Sequence, residues 1–249
     1  MSIRYLSLAF CGLVLFIPSL QAQPAAGTAA AAPAAATATG TSTAAKKPET
    51  KVDPASQAIA EAMIAMNKND VDGAIAKLTE AIAANPKVSS SYVLRASAYY
   101  QKKDYTKAEA DFKSALAIEP KNVVIQFNIP EMEFLQKHYD VARTGYATLT
   151  SDQQMGDLAA YKVFLCDLLQ GHEAQAQKER DAFDTVRRAP SFYFANAAWD
   201  LSHKKNDDAR GWLVSVTTIF PSSKITYYAM PLKDLGWLPI PANDAPLSQ

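Results

Sequence analysis

The side chains best suited to metal or thiol chemistry are three histidines, His138, His172 and His203, and two cysteines, Cys11 and Cys166. A zinc ion needs several ligands at ~2.0 to 2.3 Å from one point. His138 and His172 stand 34 residues apart in turns between helical stretches, and His203 sits in a further turn. Turns a full repeat apart do not converge on one ion, so the histidines read as solvated turn residues. Cys166 shares a repeating position with Ile64, Ala98, Met132 and Trp199, an apolar stripe in which a thiol is buried and inert. No phosphate-cradling glycine loop, nucleophile elbow or paired metal motif appears. The expectation is no catalytic residue, no metal and no cofactor, which leaves recognition as the chemistry on offer.

Composition narrows the partner. Lysine plus arginine equals aspartate plus glutamate, 25 against 25, so no basic surplus exists to neutralise phosphates or to hold an anionic membrane. Nucleic acid is excluded as the expected partner. Scarce glycine and abundant alanine favour helix over sheet.

Met1 to Ala22 places Arg4 before an apolar run from Tyr5 to Leu20 and ends Leu20-Gln21-Ala22, the layout of a secretory signal peptide cut after a small residue. Retention as an anchor is the competing reading; Pro18 and a run short of the ~20 residues a span needs weigh against it. Membrane contact is expected only through an uncleaved signal. A lipid-attached Cys11 fits worse, because that cysteine lies inside the apolar run. Cleavage removes Arg4 and Cys11, and the single remaining cysteine cannot form an internal disulfide in the oxidising, periplasmic or envelope compartment implied. Residues 23–51 are almost entirely Ala, Thr, Pro, Gly and Ser, and with no large apolar residue to bury they are expected to form a disordered tether.

The rest of the chain is periodic. Ala74, Ala108, Ala142 and Ala176 follow one another at steps of 34, and Ala209 follows at 33. The best-formed period runs from Tyr92 to Pro120, with Tyr92, Arg95, Ala96, Tyr99, Ala108, Phe112, Ala115 and Pro120 at the spacings aromatic-x2-Leu-Gly-x2-Tyr, Ala-x3-Phe and Pro. By these residues the chain resembles the tetratricopeptide-repeat family. The resemblance implies an all-α, right-handed α-solenoid of about five helix-turn-helix repeats, near 55–88, 89–122, 123–156, 157–189 and 190–221. A capping helix and tail follow over 222–249.

In this family the alanine of the second helix meets the eighth residue of the unit where the helices pass closest. Those residues are Ala62, Ala96, Pro130, Phe164 and Ala197, so units three and four depart from the small-small rule. Pro130 predicts a kink or a late start for its helix, since an interior proline loses a hydrogen bond and collides with the carbonyl of Gln126. Asp53-Pro54 predicts an N-cap and first helical residue, and Asp157 is read as the N-cap of unit four. Arg180 stands where an aromatic residue is expected. Beyond the array, Ile225, Tyr228, Ala229, Leu232 and Leu235 predict a helix over 222–235 that Pro231 interrupts and Gly236 ends.

The resemblance further implies that the first helices line a concave face. There Met63, Val93, Tyr100, Phe127, Phe134, Tyr161, Leu165 and Phe194 would form an apolar, aromatic-rich groove. An apolar groove predicts a protein or peptide of the cell envelope as partner. The lysine, asparagine and arginine that clamp the carboxylate of a chaperone tail are missing from these positions, which disfavours such a tail. The implied function is a non-enzymatic interaction scaffold or adaptor of the envelope; the alternative is a structural subunit that self-associates into a homo-oligomer or a larger assembly.

Overall fold

A computed structural model describes residues 53–184 and 189–238. The signal and tether expected before residue 53, the end of unit four at 185–188, and the tail with Ile240 lie outside them. The described residues form α1 (Pro54–Asn67), α2 (Val71–Ala84), α3 (Ser89–Gln101), α4 (Tyr105–Ile118), α5 (Val123–Leu135), α6 (Tyr139–Ala147), α7 (Gly156–Leu169), α8 (Glu173–Phe183), α9 (Pro190–Ser202), α10 (Asn206–Ile219) and α11 (Ser222–Asp234). The first ten pair as five antiparallel hairpins, and each helix packs on its neighbours in sequence. This is the all-α solenoid with a terminal helix.

One turn is used five times. Asn69, Lys103, Lys137, Gly171 and Lys204 have φ between 59° and 75°, and each ends the first helix of its unit. The residue that follows donates its N–H back to the helix, as Asp104 does to the Tyr99 carbonyl at 2.9 Å and His138 to the Glu133 carbonyl at 3.0 Å. Those bonds satisfy carbonyls that a helix end leaves open. They offset the ~1 to 2 kcal/mol that a non-glycine residue costs in the left-handed region. The turn delivers the chain into the second helix, five residues before the alanine of each period.

Ala74, Ala108, Ala142, Ala176 and Ala209 are all fully buried. Where the eighth residue is also alanine, as at Ala62, Ala96 and Ala197, two small side chains let the helix axes close to ~8 to 10 Å. Unit three achieves the approach differently. Pro130 presses on α6 at Gly145, where an added Cβ would fall 2.8 Å from the Pro130 Cβ. The glycine supplies the room that the proline takes.

Three local expectations need correction. Helix α5 starts at Val123 and holds Pro130 in its interior, so it does not start late, and α11 likewise holds Pro231 and continues to Asp234. Both prolines are buried, and that packing offsets the hydrogen bond each of them removes from its helix. Asp157 is not an N-cap: Met155 takes that place and Asp157 sits in the first turn of α7. Its carboxylate is engaged elsewhere, as described below. Arg180 replaces an aromatic residue by stacking its guanidinium 4.3 Å from the Trp199 ring of the next unit, a cation–π contact that fills the same gap between units. Asp53 and Pro54 do open α1 as read, with Asp53 accepting the Ser56 N–H at 3.0 Å.

Gly145→Ala is expected to destabilise the fold by ~1 to 3 kcal/mol, because the overpacking against a rigid proline ring exceeds the ~0.5 to 1 kcal/mol that alanine gains in a helix. Urea unfolding followed by circular dichroism measures it, and an unchanged or raised midpoint would show that α6 is not held against Pro130.

Candidate partner-binding face

The first helices α1, α3, α5, α7 and α9 share one side of the array, and the eight groove residues fall into three groups on it. Met63 is 48% exposed, and Val93 and Tyr100 are half-buried. With Ile59 and Met66, also half-buried, they make an accessible apolar strip over α1 and α3. Phe127 and Phe134 are buried with α6 beside them, the first 5.1 Å from the Tyr146 ring and the second 5.4 Å from that of Tyr139. Tyr161, Leu165 and Phe194 are buried in the same large core, which α11 helps to close.

Helix α11 lies across this side of units four and five, packing on α9 and reaching α7. Its Tyr228 ring stacks on Phe194 at 5.8 Å and approaches Tyr161 at 5.7 Å. The Tyr228 hydroxyl donates to Asp157 at 2.6 Å, while the other Asp157 oxygen accepts from the Ser191 hydroxyl at 2.5 Å. Burial, then the Asp157 charge, drives the Tyr228 hydroxyl well above the usual phenol range, so it remains a proton donor. Asp157 thereby ties α7, α9 and α11 together. Sequence reasoning assigned it a local cap because an aspartate ahead of an apolar run carries no mark of a partner 71 residues away.

Two charged networks stiffen the middle of the array. Lys162, which no sequence pattern singled out, is fully buried on α7 and donates to Glu131 of α5 at 2.8 Å. Tyr146 of α6 donates to the second Glu131 oxygen at 2.5 Å, and the Lys162 ammonium sits 4.3 Å from the Phe134 ring. A buried ion pair persists only when its remaining valences are met, and here a phenol and an aromatic face meet them. Arg143 of α6 forms the second network, donating to Asp167 at 2.6 Å and to Glu179 at 3.0 Å. His172 pairs with Asp167 at 3.0 Å in its turn.

His138, His172 and His203 occupy three separate turns, and no three His, Cys, Asp or Glu side chains among the described residues converge as a metal site. Cys166 is fully buried, and burial pushes its thiol up to about 12, far from the thiolate a nucleophile requires. No helix among the described residues is long and apolar enough to cross a membrane.

Repeated helical hairpins and a shared left-handed turn define a helical-repeat protein. Residues 59–123 match the tetratricopeptide-repeat family model, and the same helical hairpin is carried through all five units. Among solved structures it is similar to PilW, described as a widely conserved type IV pilus biogenesis factor. That likeness has 19% identity and a TM-score of 0.52, and it spans 73% of this chain and 86% of PilW. It is also similar to PilF of Pseudomonas aeruginosa, at 16% identity and a TM-score of 0.51 over 74% of this chain and 86% of that one. At such identities the likeness is one of fold. A search of curated proteins returned no match to the sequence.

Removing one member of the buried pair should leave the other uncompensated: Glu131→Gln is expected to cost ~3 to 5 kcal/mol, and Glu131→Gln combined with Lys162→Met markedly less. A double-mutant cycle by urea denaturation measures the difference, and simple additivity would contradict direct pairing.

Asp234, at the end of α11, offers a pH test. Partial burial and the nearby Glu131 raise its carboxyl above the ordinary aspartate range, while Lys162, Lys233 and Lys103 pull it down. A raised carboxyl holds its proton more tightly in the folded chain, so its share of stability is lost as pH rises from the ordinary aspartate pKa through the raised one. Asp234→Asn should flatten that slope and raise the urea midpoint at about pH 7 relative to the midpoint at about pH 4.5. An identical pH profile in the two proteins would remove Asp234 from the electrostatics of this face.

Proposed function

We propose that this chain is a non-enzymatic protein-binding module of the cell envelope, a scaffold or adaptor that holds a protein or peptide on the first-helix side of its solenoid. The observation that carries the reading is the accessible strip of Ile59, Met63, Met66, Val93 and Tyr100. Apolar side chains left open to water favour a partner that covers them, and each large one covered contributes ~1.5 to 3 kcal/mol before association costs. Phe127, Phe134, Tyr161, Leu165 and Phe194 continue the same side, with α11 and intra-unit packing closing them off. Export is supported by the leader, whose charged start, apolar run and small final residue read as a signal peptide. The description of PilW as a pilus biogenesis factor is in keeping with an assembly role.

A second reading, self-association, draws on Ile64. Its equivalents Ala98, Met132 and Cys166 are fully buried, whereas Ile64 on the first described unit is 54% exposed. A copy stacked on that unit would bury it as the others are buried.

Site-specific photocrosslinking in the envelope separates the readings. A photoreactive side chain at Met63 or Tyr100 should capture a distinct envelope protein that the same probe at Val214, 60% exposed on α10, does not capture. Capture of this chain itself from Ile64 would favour self-association, and indistinguishable products from all positions would remove the strip from the argument.

A further inference from the structure

Helix α11 does not extend the array. In units two to four each first helix packs on the second helix of the unit before it, α3 on α2, α5 on α4 and α7 on α6. Helix α11 touches α10 only weakly and lies across α9 and α7 instead. The chain turns there in two extended residues, Phe220 at φ −117°, ψ 142° and Pro221 at φ −66°, ψ 148°. Phe220 rests on the Tyr193 ring of α9 at 6.0 Å, so the connection is anchored on α9 and α11 is attached to α10 by little besides the chain itself.

What α11 presents is simple. Ile225, Tyr228 and Leu232 recur at i, i+3 and i+7, one face of a helix. Ile225 and Leu232 are buried, while Tyr227, Ala229 and Met230 beside them stay partly open. The surface beneath offers the Phe194 ring, stacked on Tyr228, the tilted Tyr161 ring, and one carboxylate oxygen of Asp157 that receives the Tyr228 hydroxyl. Such a floor reads an amphipathic helix by its apolar ridge and by a single phenol.

The floor also holds a group that α11 leaves unanswered. Tyr161 is fully buried, and its hydroxyl has no hydrogen-bonding partner among the described residues. Buried hydroxyls are ordinarily paired, so the fit between α11 and its seat is incomplete at this point. A helix bringing a side-chain carbonyl or carboxylate over Tyr161 would make one bond more than α11 makes.

We propose that the face of α7 and α9 is a helix-docking site, held by α11 in the resting chain and yielded to an amphipathic helix of a partner protein. That partner helix carries an apolar i, i+3, i+7 ridge, a phenol for Asp157 and an acceptor for Tyr161. The proposal rests on the reading of this chain as a protein-binding module and assigns that module a second, gated half beside the strip over α1 and α3.

The test uses the full chain. Ile225→Ala/Leu232→Ala weakens α11 and leaves its seat untouched, and the probe is a fluorescent peptide with the sequence of residues 221–238. The peptide should bind this variant at least ~10-fold more tightly than wild type, whose own α11 competes at the high effective concentration of a tethered ligand. A peptide carrying Tyr228→Phe should bind at least ~5-fold more weakly than the unmodified peptide, the loss of a hydrogen bond to a charged acceptor. Failure to bind the variant, or equal binding to variant and wild type, overturns the proposal. Hydrogen exchange on the wild-type chain gives an independent reading: α11 amides should exchange through a local opening that α9 does not share. Exchange of both helices only together would make α11 a permanent part of the fold. Peptide binding without crosslinks from Met63 and Tyr100 would leave the docking site standing while removing the envelope-partner reading, and the converse would do the reverse.

Discussion

Every unit depends on two helices meeting at one alanine. The five alanines of the second helices have no exposed surface, and any larger side chain there would push the axes beyond the ~8 to 10 Å that close packing requires. From this contact follow the hairpin angle, the burial of Phe112 beside Ala115 in unit two, and the lining up of first helices on one side. Unit three shows that the constraint acts on space and not on residue identity: Pro130 is accommodated because Gly145 faces it. Unit four tolerates Phe164, which packs edge-on to Phe183 at 6.4 Å.

Above that repeated contact, the middle of the array is held by longer-range polar bonds. Glu131, Lys162 and Tyr146 join units three and four across a buried space, and Arg143, Asp167 and Glu179 bind three helices at a partly solvated edge. Buried charges of this kind contribute little net stability, yet each is costly to leave unpaired, so they fix one arrangement of the helices against others. They coincide with the units whose repeat motif is weakest. The loss of consensus residues there accompanies the gain of specific ones.

The division of the first-helix side has the same origin. Over α1 and α3 the ridge residues are Ile59, Met63, Val93 and Tyr100, of which Met63 is exposed and the others half-buried. Over α7 and α9 the aromatic rings are larger, and α11 returns to cover them through Tyr228. Burying Tyr161 and Phe194 removes an area that a soluble protein would otherwise expose. The accessible half and the covered half are chemically alike.

By itself the sequence determined the helical class, the period and the position of each hairpin, because an alanine every 34 residues and an apolar stripe at helical spacing are local signals repeated five times. It also determined the burial of Cys166, which shares the tenth position with the buried Ala98 and Met132 of units two and three. Only the tertiary structure decided which groove residues are accessible. Phe127 and Phe134 carry the same ridge spacing as Val93 and Tyr100, and their burial follows from neighbours in α6 that no periodicity reveals. Only the folded chain could assign Asp157, Lys162 and Arg180, whose partners come from other helices and, for Asp157, from α11. A repeat is written in spacing along the chain, whereas the covering of a face is written in contacts between distant segments, and spacing alone does not carry those.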